Sequence, residues 1–274
     1  MKNIQILKIK NQLIVKKNDN KNELLIFTDA LWETKILKKK CGKIITFRFS
    51  KTKIAKELLF ELIRYLKKKN YYWIQLDSKN IFSKIKNLKK FIIKQKFEIS
   101  NEYIKWRLIK SDINQNLLKL VSKNIMFNIA TKKDLKKLQN FTEKFPNPGR
   151  FVLKKKFRKH GIKLYKSWVT NSILDKNKLV FFYKRKNRIY TYQTIELDKK
   201  YKVFSLGLLR NSQKIRLIGT YTVFNSIKYF ESLKNMQVLY TKSSQFNTVI
   251  NNLNKDVGMK KIASGINFEY FFKL

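Results

Sequence analysis

The chain has 274 residues, 43% of them hydrophobic, including 21 Phe and 13 Tyr, with only seven Gly and two Pro. That is enough apolar side chain for a sizeable core in one large or two small domains, and too little Gly and Pro for a collagen-like or linker-rich chain. Lys and Arg number 63 against 18 Asp and Glu, a formal charge of +45 that attracts phosphorylated small molecules, nucleic acid and anionic surfaces alike.

In chain order, "KNELLIF" and "GKIITFRFS" read as strands. "KTKIAKELLFELIRYLKKKN" then places Ile54, Leu58, Leu59, Leu62, Ile63 and Leu66 on one helical stripe. "YYWIQLD" is strand-like, "NIFSKIKNLKKFIIKQ" helical and "FEISNEYIKWRLIKS" a strand again, with "DINQNLLKLVSKN" as a connector. The second half opens with the strand "IMFNIA" and the helix "TKKDLKKLQNFTEKF", where Thr131 and Asp134 form a capping-box-like start. "PNPGRF" holds both prolines and reads as a shaped loop. "IKLYKSWVTNSIL" is a helix with Leu164, Trp168 and Ile173 facing inward, and "KLVFFYKRKNRIYTYQTIELDKKYKVFSLGLL" supplies three strands. A helix through about Lys234, the strand "MQVLYT", the helix "NTVINNLNKD" and the β-rich "MKKIASGINFEYFFKL" complete the chain. The order implies an α/β (α+β) fold, a mixed, mostly antiparallel sheet flanked by helices.

A single cysteine, Cys41, excludes an intrachain disulfide and fits a reducing compartment. With His160 as the one histidine, no metal site is expected, and His160 in "FRKHGIK" reads as a solvated loop residue. No apolar run approaches the roughly 18 residues of a membrane span, and the N-terminal segment lacks a signal-peptide core. A soluble, cytoplasmic protein is the expectation. Lysines are spread along the whole chain, and the dominant residue types share AT-rich codons, so base composition accounts for much of the charge but not for the scarcity of Glu.

Four stretches carry a resemblance. "LWETKILKKKCGKI" (31–44) is similar to an amino-terminal signature with Glu33 and Thr34 in the places of Asp and Ser. "GRFVLKKKFRKHGIKLYKSWVTNSI" retains Arg150, Phe151, Leu164, Tyr165, Trp168, Asn171 and Ser172 of a second motif. "LGLLRNSQKIRLIGTY" resembles a strand followed by an R-G-x-G-x-G turn, and "TKSSQFNTVINNLNKDVGMKK" a closing motif with Asn247 and Gly258 in register. Together they resemble the Gcn5-related N-acetyltransferase superfamily, most of all the dTDP-fucosamine acetyltransferase type, over roughly residues 25–274. The resemblance implies a smaller, degenerate acetyltransferase-like α/β unit over 1–120 and an acetyltransferase domain over 121–274. A splayed strand pair is expected near 203–210 and 237–241.

The same resemblance implies acetyl-CoA as co-substrate and an amine acceptor, a nucleotide-linked amino sugar of surface-polysaccharide biosynthesis. Cofactor contacts then fall on Leu208, Leu209, Asn211, Arg216, Leu217, Ile218, Gly219, Thr220, Tyr221 and Asn247. The backbone N–H of Leu209 would polarise the thioester carbonyl, and Arg150 and Tyr165 would meet the acceptor. Arg216 and Gly219 keep the first Arg and middle Gly of the turn, while Leu217 and Tyr221 replace the other glycines. Leu217 is tolerable at negative φ with its side chain turned away; the phenol of Tyr221 is expected to intrude where a phosphate needs room. Asn254 stands where the family has the Tyr that protonates the departing thiolate, and a carboxamide hydrogen-bonds but gives up no proton near neutral pH. General-acid assistance is worth about 10²–10⁴-fold, so turnover is in question. Glu196 and Glu231 read as solvated carboxylates, and Trp168 as core. A catalytically degenerate binding protein and a basic nucleic-acid binder stay open as alternatives, the second without a recognisable motif. A homodimer stays open too.

Overall fold

A computed structural model describes residues 4–17, 22–83, 87–119, 125–144, 158–212, 214–215 and 217–272, the side chains of 158–160 excepted. They form two compact units, one of residues 1–102 with 265–274 and one of residues 103–264.

The first unit contains β1 (Ile4–Ile9), β2 (Gln12–Lys17), β3 (Leu24–Asp29), α1 (Leu31–Leu37), β4 (Lys40–Arg48), α2 (Thr52–Lys68), β5 (Tyr71–Asp77), β6 (Ile81–Phe82), α3 (Leu88–Lys94) and the start of β7 (Glu98–Ile109). β1 to β4 pair antiparallel in succession, and β5 joins β4 in parallel. A parallel pair needs a crossover, and α2 is that crossover. Its sequence is rich in Lys, Glu and Leu, good helix formers, and Ile54, Leu58, Leu59, Leu62 and Leu66 of the expected stripe are buried against the sheet. The helix ends where Asn70 turns to φ 58°. The helix expected over 80–95 differs at its start: Ile81 and Phe82 pair with Phe47 and Arg48 of β4, and α3 is the helix among the described residues of this stretch. Asn267–Phe271, the end of β13 (Lys260–Phe271), pair antiparallel with β5 and bring Phe268 and Phe272 into this core.

The second unit contains the rest of β7, α4 (Gln115–Lys119), β8 (Asn128–Ile129), α5 (Leu135–Lys144), α6 (Arg158–Leu174), β9 (Lys178–Arg185), β10 (Arg188–Asp198), β11 (Val203–Asn211), α7 (Ile218–Ser232), β12 (Val238–Ser244), α8 (Thr248–Asp256) and the start of β13. β8 to β11 are antiparallel, β12 is parallel to β11, and Tyr103–Ile109 of β7 run antiparallel to β12. The expected start of α5 is present, the Asp134 carboxylate accepting from the Thr131 N–H and hydroxyl at 3.0 Å each. Apolar residues split by face. Leu138, Phe141, Val169, Val180, Phe182, Ile189 and Tyr192 cluster with α5 and α6, while Ile195, Phe204, Leu206, Val223, Phe224, Ile227 and Phe230 cluster with α7. His160 lies in the first turn of α6 rather than in a loop, and Trp168 is 38% exposed, not core; Leu164, Tyr165, Val169 and Ser172 take the buried stripe. The mixed, mostly antiparallel sheet with flanking helices is as the sequence implied.

Candidate active site

The parallel ladder between β11 and β12 runs from Val203↔Val238 to Leu206↔Thr241 and stops, although the strands continue to Asn211 and Ser244. The expected splay is therefore present. Its cause is a bulge: opposite β10, Gln193 faces Leu209 and Ile195 faces Leu206, so β11 carries an extra residue. Gly207 sits at the bulge, where a Cβ would fall 2.4 Å from Thr194 Oγ1. The same hydroxyl accepts from the Leu208 N–H at 2.7 Å. That amide is thus engaged with β10. Leu209 lies beyond the last β11–β12 pair.

β11 leads into α7 through residues of which Gln213 and Arg216 lie outside the described set, so the Arg216 assignment is not placed; Arg150 lies outside it too. Leu217 precedes α7 with φ 62°, ψ 4°. The condition of a negative φ is not met: this is left-handed backbone, which costs a non-Gly residue about 1–2 kcal/mol. Its side chain does point away, being 54% exposed. The first amides of a helix have no carbonyl one turn back. Here the Ile218 N–H reaches Ile215 O at 3.4 Å and the Tyr221 N–H reaches Leu217 O at 3.0 Å, with Gly219 and Thr220 between them. A Cβ on Gly219 would sit 2.7 Å from Nδ2 of Asn211. The missing side chain thus lets the amide of Asn211 lie against the start of the helix. Tyr221 is partly buried, packed against the α7-side core.

Buried hydroxyls hold this helix in place. Thr222 and Thr191 Oγ1 atoms are 3.0 Å apart, Thr191 donates to Arg210 O at 2.8 Å, and Ser226 donates to Gln193 Oε1 at 3.0 Å. Each such bond contributes about 1 kcal/mol net and would cost more if half-broken. The polar residues of "YTYQTI" therefore tie α7 to β10 directly behind the turn.

Asn247 caps α8, its side chain accepting from the Ile250 N–H at 3.2 Å, and it is exposed. Asn254 lies on the inner face of the same helix, 2% exposed, and its Nδ2 has no hydrogen-bond partner among the described residues. A buried donor left unpaired is costly, and a carboxamide is a donor but no acid. Glu196 is a surface carboxylate as expected, 63% exposed at its side chain and 4.0 Å from Lys178 Nζ. Glu231 accepts from Gln115 Nε2 at 2.5 Å.

Sequence reasoning missed Arg210. It ends β11 only 1% exposed, with its guanidinium over the ring of Tyr165 at 4.2 Å. The signal was a lone base closing the apolar run "VFSLGLLR". Tyr165, expected at the acceptor, is buried beneath it. Among the described residues no group of His, Cys, Asp and Glu could hold a metal, and no helix is long and apolar enough to cross a membrane.

No family model and no curated protein matches the sequence. Solved structures do. A conserved protein of unknown function from Staphylococcus epidermidis ATCC 12228 is similar at 10% identity and a TM-score of 0.63, over 98% of this chain and 94% of that one. A tandem GNAT protein from the clavulanic acid biosynthesis pathway is similar at 8% identity and a TM-score of 0.58, over 95% and 82%. A GCN5-related N-acetyltransferase from Sphaerobacter thermophilus is similar at 8% identity and a TM-score of 0.57, over 97% and 82%. At such identities the likeness is one of architecture: the chain has the fold of the GCN5-related N-acetyltransferases.

Proposed function

We propose that the second unit is an acetyl-CoA-dependent N-acetyltransferase. The single observation that carries this reading is the splay of β11 from β12, which opens beside the start of α7 at Gly219. The residues present fit the cofactor. Amides at the N-terminus of a fifteen-residue helix favour an anion such as a pyrophosphate. Asn211 Nδ2 lies at the same point and supplies a further donor. When bound, acetyl-CoA supplies the acetyl group as an activated thioester. Gly219, Thr220 and Asn211 would hold its phosphates, Leu208 and Leu209 its arm, and the backbone at Leu209 would face the thioester carbonyl. Asn254 would donate a hydrogen bond to the departing sulfur without giving up a proton. Tyr221 and Asn247 belong to packing and capping in this reading. The acceptor is an amine, and an amino sugar linked to a nucleotide suits the strongly positive field.

A second reading, a relative that binds acetyl-CoA without turning it over, is favoured by the carboxamide at Asn254. One assay separates them: thiol release from acetyl-CoA over a panel of amines and amino-sugar nucleotides, with acetyl-CoA affinity measured in parallel. Wild type is expected to bind and release thiol. Gly219→Glu, which sets bulk and negative charge at the turn, is expected to bind at least about 100-fold more weakly, the scale of a lost charge-assisted contact plus repulsion. Binding without release from any amine supports the second reading, and unchanged affinity in Gly219→Glu removes the turn from the site.

A further inference from the structure

We propose that Arg210 recognises an anionic substituent, a carboxylate or a phosphate, on the amine that the second unit acetylates. None of Nε, Nη1 and Nη2 of Arg210 makes a hydrogen bond of ordinary geometry among the described residues, although the side chain is almost wholly buried and near enough to the Tyr192 hydroxyl to draw on it. The contacts it does make are with uncharged groups. The guanidinium lies over the Tyr165 ring, and its cross-strand partner Tyr192 shares a hydroxyl contact with Thr142 at 2.9 Å. Burial holds the Tyr192 phenol above its ordinary range against the opposing pull of Thr142 and Arg210, so it stays neutral and serves as no counter-ion.

The described residues of the unit offer no other. Among the described residues the buried carboxylates are Glu23, Glu33, Glu61 and Glu269, all in the first unit. The second unit's buried polar residues are hydroxyls, carboxamides and Arg210 itself. The stretches 120–124 and 145–157, together with Gln213 and Arg216, contain no Asp or Glu, and none occurs between Asp198 and Glu231. A guanidinium does not escape burial by losing its proton. The ring beneath it offsets part of the cost, and the remainder persists unless an anion arrives. Five donors in a planar fork match carboxylate and phosphate oxygens in pairs. Arg210 also stands at the open end of β11, past its last pair with β12 and next to Asn211, where an acceptor beside a thioester would lie. That an anion binds here follows from the burial. That the acceptor carries it rests on the acetyl-transfer reading.

The test uses the full chain and compares thermal midpoints in sodium phosphate and sodium acetate with those in sodium chloride at matched ionic strength, because a charge of +45 responds to any salt. Wild type is expected to melt several degrees higher in phosphate, in acetate or in both, and which of the two acts identifies the oxygen acid preferred. Arg210→Met is expected to lose that difference while melting in chloride at or above wild type, since a buried charge has become an apolar side chain of similar length. Arg210→Lys keeps a charge without the fork and is expected to show a reduced difference. It decides the matter should the Met variant fail to fold. A wild type with no difference, or variants that retain it in full, overturn the proposal. In the same preparations, thiol release with an aminocarboxylate, an amino-sugar phosphate and a neutral amine is expected to favour an acidic acceptor more than tenfold in kcat/KM, a preference absent in Arg210→Met. Should no amine be acetylated while the phosphate or acetate difference stands, the acetyl-transfer reading falls and the anion site remains.

Discussion

Both units set an antiparallel pair beside a parallel one, β3–β4–β5 in the first and β10–β11–β12 in the second, with a helix crossing between the parallel strands. They differ at the far end of the central strand. In the first unit β6 continues where β5 leaves off, pairing Ile81 and Phe82 with Phe47 and Arg48, and the Phe49 N–H reaches Phe82 O at 3.3 Å. Phe47 and Phe49 stack there at 4.5 Å, and Phe91 packs on Phe49 at 6.0 Å. In the second unit the corresponding reach of β11, residues 207–211, has no such strand on its β12 side among the described residues, and buried hydroxyls tie β10 to α7 nearby. One topology therefore serves two ends. Filled with rings it is a core; left splayed, it offers backbone and a helix terminus to a ligand.

Three measurements sharpen that contrast. The largest effect is expected in the filled unit, where Phe268 is 1% exposed and sits on the strand that completes the sheet. Phe268→Ala should cost about 3–5 kcal/mol in denaturant unfolding, while acetyl-CoA affinity of the folded variant stays as in wild type. A matching loss of affinity would mean that the units are not separable in function.

The next effect is alkaline. Cys41 is buried in β4, and burial, with the nearby Glu33 carboxylate, pushes its thiol up to about 12. A folded pKa above the unfolded one means that the unfolded chain loses its proton first. Stability from this residue is therefore complete below about pH 9 and drains away as the pH rises toward 12, by at most about 1.4 kcal/mol per pH unit. Cys41→Ala should flatten the pH dependence of unfolding across that window, and an unchanged slope would show that the thiol titrates normally in the folded protein.

The smallest belongs to the open unit. Leu217→Gly relieves left-handed backbone, a gain of about 1–2 kcal/mol, less the greater freedom glycine has when unfolded, about 0.5–1 kcal/mol. The net gain of under about 1 kcal/mol should raise the midpoint by a few degrees at most. A fall would show that the exposed Leu217 side chain packs on something in solution.

The legible parts of this molecule were those set by periodicity. The α2 stripe, the capped start at Thr131 and the strands from β9 to β12 follow from apolar spacing and turn residues, which act locally. β1 and β2 were not expected, although Leu13 and Val15 carry the two-residue period of a half-buried strand. Trp168 misled because it borders the buried stripe of α6, and Val169 takes the inward place. The site was half legible. Gly219 and Asn247 are recognisable by spacing, but the φ of Leu217, the core-facing ring of Tyr221 and the solitude of Arg210 depend on what packs nearby. A missing counter-charge is invisible in a sequence, because it is a property of the neighbours.

The exchange of β13 also has a consequence in time. β5 receives its partner only when residues 265–271 have been made, long after α2 has been able to settle on the first four strands. Until then a growing chain carries an open strand edge and lacks Phe268 and Phe272, the condition that invites wrong pairing in nascent proteins. The second unit takes its equivalent strand from β7, which is made before α7 and β12. Completion of the first unit therefore waits on residues 267–271, synthesised long after the rest of that unit.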